Sequence, residues 1–195
     1  MVTSTPIAPG AAAIAEAKNF LRIEHDSEDA LIERLIASAA ALCEEFTGQV
    51  LLARDFSETL TLAQGWLSLS RTPARAITGI EGLAGDGAAF AIPAGDYEID
   101  IDIAGDGWVR IAKAGDARRA RIAYEAGIAA AWEDVPEALR QGIVRLTAHF
   151  HTYRGAPAGP TGAAREGEAP PAAVTALWRP WRRLNIGPAA RGMPA

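Results

Sequence analysis

The sequence is poor in the residues that most often carry chemistry. It has one cysteine, Cys43, and three histidines, His25, His149 and His151. A single cysteine excludes an internal disulfide, so nothing calls for an oxidising compartment. His149 and His151 stand two apart in a predicted helix, so they point about 200° apart and cannot share a metal. No Ser or Cys sits in a nucleophile elbow or beside a base, and no Gly-rich loop is built to cradle a phosphate. The expectation is a protein without catalysis, metal or cofactor. Long apolar runs are also missing, so no membrane span is predicted. Met1–Gly10 has no Lys or Arg and the run Ala11–Ala15 is broken by Glu16 and Lys18, so no targeting signal is read there. The default is a chain made and kept in the cytoplasm, or built into a particle there.

Acids are missing from one end only. All 24 Asp and Glu lie at or before Glu168, against 15 of the 19 Lys and Arg up to residue 169, a surplus of nine negative charges. From Pro170 onward there are four Arg and no acid. Nucleic-acid affinity comes mainly from Lys and Arg on phosphates, so an acidic body disfavours it. Hydrophobic content of 49% and charged content of 22% are ordinary for a globular chain, and 195 residues suit one domain plus a tail.

Periodicity divides that domain. Helices are expected over 11–21, over 27–47 behind a capping Asp or Ser with Gly48 as the stop, and over 136–154 behind Pro136. In the second, Leu31, Ile32, Leu35, Ile36, Ala39, Leu42, Cys43 and Phe46 share a stripe. In the third, Leu139, Ile143, Leu146, Phe150 and Tyr153 do. Residues 52–126 instead alternate with the period of half-buried strands, as in Phe56, Leu60 and Leu62, or Tyr97, Ile99, Ile101 and Ile103. Gly-Asp pairs at 85–86, 95–96, 105–106 and 115–116 punctuate them. Turns of an antiparallel module explain the pairs better than a calcium repeat, which has a different period and more glycine. Glu98, Asp100 and Asp102 leave one face of one strand, either as a solvated face or as an acidic surface that keeps DNA from sticking. The fold class is α+β, with the helices around an inserted antiparallel β-module of five or six strands.

The C-terminal end is set apart. Residues 155–171 are rich in Pro and Gly and read as a tether. In the tail, 172–195, Val174, Leu177, Trp178, Trp181 and Leu184 fall at helical spacing, and Pro180 must end or kink that helix. Trp and Arg are frequent interface anchors. The tail therefore docks on a partner, folds back on its own body, or, least favoured, contacts nucleic acid.

Three segments taken in order resemble the phage head–tail connector (adaptor, head-completion) family. They are Glu16–Ile32, Arg121–Gly127 and Val135–Arg154. The segment Leu177–Arg183 looks like the end of members found in gene transfer agents. The resemblance implies a structural protein at the head–tail junction of a virion or gene transfer agent particle, assembled in the bacterial cytoplasm. It implies a ring of about twelve copies beneath the portal protein, neighbouring copies as partners, and a tail-side stopper or tail-completion protein below. DNA passes through without specific binding, past an acidic face for which Glu98, Asp100 and Asp102 are the candidates. It also implies that Val174, Leu177, Trp178, Arg179, Trp181, Arg182 and Arg183 dock on the portal. The alternative on the residues alone is a calcium- or ligand-binding β-domain module with its tail packed in cis.

Overall fold

The structure is a computed structural model that describes residues 1–154 and 170–183. These divide into a helical unit, Ile7–Leu52 with Ala129–Arg183, and a β unit comprising Met1–Pro6 and Ala53–Ile128. The fold is α+β. The expected tether lies outside the described residues, except for Pro170 and Pro171, and so does the tail from Leu184 onward.

The helical unit holds α1 (Gly10–Leu21), α2 (Asp29–Thr47), α3 (Glu137–Tyr153) and α4 (Ala172–Trp178). The second helix starts two residues later than expected because its capping candidates are engaged elsewhere. The Ser27 hydroxyl meets His25 Nδ1 and Asp26 pairs with Lys18. Leu31 and Ile32 donate instead to the carbonyl of Glu28. Gly48 ends α2 at φ 69°, a conformation that costs glycine little. The buried face of α2 is Ile32, Ile36, Ala39, Ala40, Cys43 and Thr47. Leu42, expected in that stripe, is 40% exposed. On α3, Leu139, Ile143 and Leu146 are buried, Phe150 is half-buried and Tyr153 is exposed. Trp132, in the turn ahead of α3, is buried and donates its indole N–H to Glu16 of α1 at 2.7 Å.

The β unit has eight strands: β1 (Val2–Ser4), β2 (Arg54–Thr61), β3 (Leu67–Ser68), β4 (Ala74–Leu83), β5 (Ala89–Ala91), β6 (Tyr97–Ile101), β7 (Gly107–Ile111) and β8 (Arg119–Ala126). All pairings between them are antiparallel. They form a five-stranded sheet, β1-β2-β8-β4-β5, and a three-stranded one, β3-β7-β6. Phe56 stands opposite Tyr124 and their rings stack with centroids 5.6 Å apart. Two residues along β2, the Glu58 carboxylate is 4% exposed. It accepts hydrogen bonds from the Tyr124 hydroxyl at 2.9 Å and from the Ser70 amide and hydroxyl, both at 3.0 Å. A buried carboxylate persists only when its lone pairs are met in this way. Burial and the neighbouring Glu58 charge push the Tyr124 phenol up.

The Gly-Asp pairs lie at turns. Asp86 accepts from the Ala88 amide and Gly87 has φ 89°. Gly105 has φ 78°, and a Cβ there would fall 2.4 Å from Pro73 Cβ, so only glycine fits. Gly95-Asp96 lies in a 3-10 turn, Ala94–Asp96. Among the described residues no group of three or more His, Cys, Asp or Glu is arranged to hold a metal, and no helix is long and apolar enough to cross a membrane.

Candidate docking surface of the C-terminal segment

Pro171 precedes α4 and the 3-10 turn Arg179–Trp181 follows it, so Pro180 does terminate the helix. The short helix lies on α3 and α2 within the helical unit. Val174 and Trp178 face inward, at 1% and 0% exposure. The Trp178 indole donates to the Leu139 carbonyl at 3.3 Å and lies 5.9 Å, centroid to centroid, from the Phe46 ring. It fits because residue 142 has no side chain: a Cβ there would sit 2.1 Å from Trp178 Nε1. Glycine inside a helix costs about 1 kcal/mol relative to alanine, and here that notch is filled by an indole.

Past the helix the chain is fastened to the end of α2. The Arg183 amide donates to the Thr47 carbonyl at 2.7 Å and Gln49 Nε2 to the Trp181 carbonyl at 2.5 Å. Arg182 holds its guanidinium 5.8 Å from the centre of the Phe46 ring, a cation–π contact.

The seven expected docking residues therefore separate into two sets. Val174 and Trp178 are seated in this chain's own helical unit. Arg179, Trp181 and Arg182 are exposed, Trp181 at 36%, while Leu177 and Arg183 are half-buried. Of the readings left open by the sequence, the described part of the tail folds back on its own helical unit through Val174 and Trp178. The reason is a cavity-and-plug fit at Gly142, which the apolar stripe of α3 does not announce. The visible signal was a glycine three residues after Leu139 in an otherwise strong helix.

The acidic candidates are less uniform than one strand face suggests. Glu98 is ion-paired with Arg110 of β7 at 2.5 Å, and that guanidinium also lies 5.2 Å from the centre of the Trp66 ring. Asp102 lies beyond β6 and accepts from the amides of Ala104 and Asp106 at 2.9 and 2.8 Å, closing its own turn. Asp100 is half-exposed on β6. Cys43 is a buried thiol whose pKa is pushed up by burial, the condition of a packed rather than reactive cysteine.

No curated protein matches the chain. Residues 11–84, which hold α1, α2 and β2 to β4, match the family described as phage gp6-like head-tail connector protein. Among solved structures, a chain from the neck of an empty gene transfer agent particle, computed with six-fold symmetry, is similar at 25% identity. The likeness covers 100% of both chains with a TM-score of 0.73. A chain from the virion of a native gene transfer agent particle matches at 24% identity over 96% of this chain and 98% of that one, TM-score 0.72. A chain from the neck of a native particle, computed with twelve-fold symmetry, matches at 23% identity over 100% of both, TM-score 0.69. The N-terminal part of the chain thus resembles that connector family, and its fold is shared end to end with a chain of the gene transfer agent neck.

Proposed function

We propose that this chain is a structural part without catalysis of its own, forming a ring beneath the portal that joins the DNA-filled head to the tail and lets DNA pass. The observation that carries the reading is the end-to-end likeness to a neck chain, at 25% identity and with all of both chains covered. A subunit that fills a closed ring must offer two different faces to its neighbours. The count of about twelve copies comes from the resemblance to the connector family, in keeping with the neck particle computed with twelve-fold symmetry. The partners are the portal protein, a tail-side stopper or tail-completion protein, and the adjoining copies.

The portal contact falls to the C-terminal segment. Val174 and Trp178 hold it, Leu177 and Arg183 flank the seat, and Arg179, Trp181 and Arg182 are left to meet the partner. An exposed indole between guanidiniums suits an apolar spot ringed by carboxylates or carbonyls. The surplus of acids before residue 170 suits a passage through which DNA slides. Of Glu98, Asp100 and Asp102, Asp100 has the carboxylate most available to face it.

Particles made without this chain test the reading. Filled heads should accumulate without tails, and adding the full chain should restore junctions whose imaged ring contains it. Tailed, infective-length particles in its absence would overturn the proposal. A calcium- or ligand-binding module has no observation in its favour, since the Gly-Asp pairs lie at turns.

A further inference from the structure

An edge strand leaves a row of backbone donors and acceptors unpaired, which makes it the part of a sheet most open to another chain. In the three-stranded sheet of the β unit, β6 lies at one end and pairs only with β7. The alternation of an antiparallel ladder fixes which of its groups are left over. Asp96 accepts from the Ala112 amide at one end of the ladder, and the Asp102 amide donates to Asp106 at the other. Glu98 and Asp100 therefore bond to β7. Tyr97, Ile99 and Ile101 turn their N–H and C=O the other way, and among the described residues nothing meets them there.

Open edges are ordinarily blunted by a proline, a lysine, a bulge or extreme shortness. Strand β6 has none of these: its five residues, Tyr-Glu-Ile-Asp-Ile, pair with β7 in unbroken register. Ile99 is 48% exposed, and Ile103, in the turn just past the strand, is fully exposed. A single exposed isoleucine needs no explanation. Two of them along an unblocked edge suit the addition of a strand.

The side chains say what kind of strand. An added strand lays its own side chains beside those of β6 on both faces. Beside Ile99 and Ile101 it needs apolar ones. On the other face Glu98 already has Arg110, whereas Asp100 stands opposite Trp108 and has no ion pair among the described residues. A Lys or Arg beside Asp100 would complete that face. The other sheet ends of this chain do not supply such a strand. They are β1, β3 and β5, which read Val-Thr-Ser, Leu-Ser and Ala-Phe-Ala and carry no cation. A second copy is therefore a poor occupant. In the reading given above the portal is met by the C-terminal segment, which leaves the tail-side protein.

We propose that the tail-side protein adds an extended strand to the free edge of β6, apolar beside Ile99 and basic beside Asp100. The inference rests on the connector reading above and names the surface for one of its partners. Used in this way, Asp100 belongs to the joint, and the passage keeps the rest of the acidic surplus.

Proline at position 99 gives the test. The Ile99 N–H points off the edge, so Ile99→Pro removes no bond to β7 while its ring blocks an incoming strand. Glu98 before it is already extended, as a residue preceding proline prefers. The full-length variant should melt close to the parent and form rings on heads that carry the portal, yet those heads should fail to take tails. Normal rings that accept tails as the parent does overturn the strand addition and leave the connector reading standing. Asp100→Lys should also lose tails, and normal attachment would overturn the basic position. Hydrogen exchange in the unmodified chain gives a second readout that does not depend on how proline is tolerated. The Ile99 and Ile101 amides should exchange quickly in the free protein and in tail-less heads, and slowly only in tailed particles. The Asp100 amide, bonded to β7, should be slow throughout. Fast exchange at Ile99 in tailed particles overturns the proposal, and protection already present in tail-less heads overturns the tail-side partner. Heads on which imaging finds no ring of this chain overturn the connector reading, and the strand addition with it.

Discussion

Trp178 and Trp181 lie three residues apart and make opposite predictions. Trp178 is fully buried against Leu139, Phe46 and Gly142. Truncating a buried tryptophan to alanine costs about 3–5 kcal/mol, so Trp178→Ala should lower the melting temperature of the free protein by many degrees. Trp181→Ala should leave the melting curve within about 0.5 kcal/mol of the parent, as exposed substitutions do, and weaken attachment to tail-less heads. Equal melting temperatures for the two variants would contradict the seat. Gly142 sets two effects against each other. Alanine gains about 1 kcal/mol in helix propensity, but its methyl enters the space of the indole, and overpacking costs about 1–3 kcal/mol. The approach of 2.1 Å decides for the second effect, so Gly142→Ala should destabilise. In a Trp178→Ala background the notch is empty and the same change should stabilise. That reversal of sign, read by chemical denaturation, is what a merely local helix effect would not produce.

At the scale of elements, the turn between α1 and α2 is tied to the end of α3 by Glu28. Its carboxylate meets His151 Nε2 at 2.9 Å and Arg154 at 3.1 Å. The hydrogen bond with His151, then the charge of Arg154, holds Glu28 below the usual carboxylate range despite some desolvation. A carboxylate depressed in the folded state adds stability above its unfolded pKa and loses it as pH falls through the folded one. The protein should therefore lose stability on the acid side of about pH 4, and Glu28→Gln should flatten that limb by lowering stability near neutrality, where the contribution is present, with little change at low pH. An unchanged acid limb in the variant would remove Glu28 from the account. The elements themselves were unevenly legible in the sequence. Helix α1 was, as an Ala-rich run without breakers, and so were α2 and α3, because an apolar stripe of three or more turns is hard to mimic. Strand β4, the longest, was not: register shifts between Ala74 and Ala76 and between Ile77 and Gly79 break the period of two. Strand β1 has three residues, too few to show a period. The tail residues were legible as anchors, but their seat was not, since it depends on a missing side chain 36 positions away.

For the whole molecule the main quantity is charge. A surplus of nine acids before residue 170 and four Arg after it leave the formal net charge at -5. Duplex affinity needs several Lys or Arg contacts and falls steeply with salt. The free protein should show no appreciable binding to duplex DNA at physiological ionic strength in a fluorescence-anisotropy titration. Tight, salt-sensitive binding by a form ending at residue 169 would contradict an acidic lining. Any residual binding that disappears with the four Arg would belong to the tail.

The amide of Arg183 has a further consequence. Its proton is held by the Thr47 carbonyl at 2.7 Å, where α2 ends and its last carbonyls need donors from outside the helix. Exchange of that proton with deuterated solvent therefore times how long the C-terminal segment remains in place. Slow exchange marks an occupied seat and fast exchange a vacated one. A single backbone proton thus serves as a clock for assembly, readable in the unmodified chain.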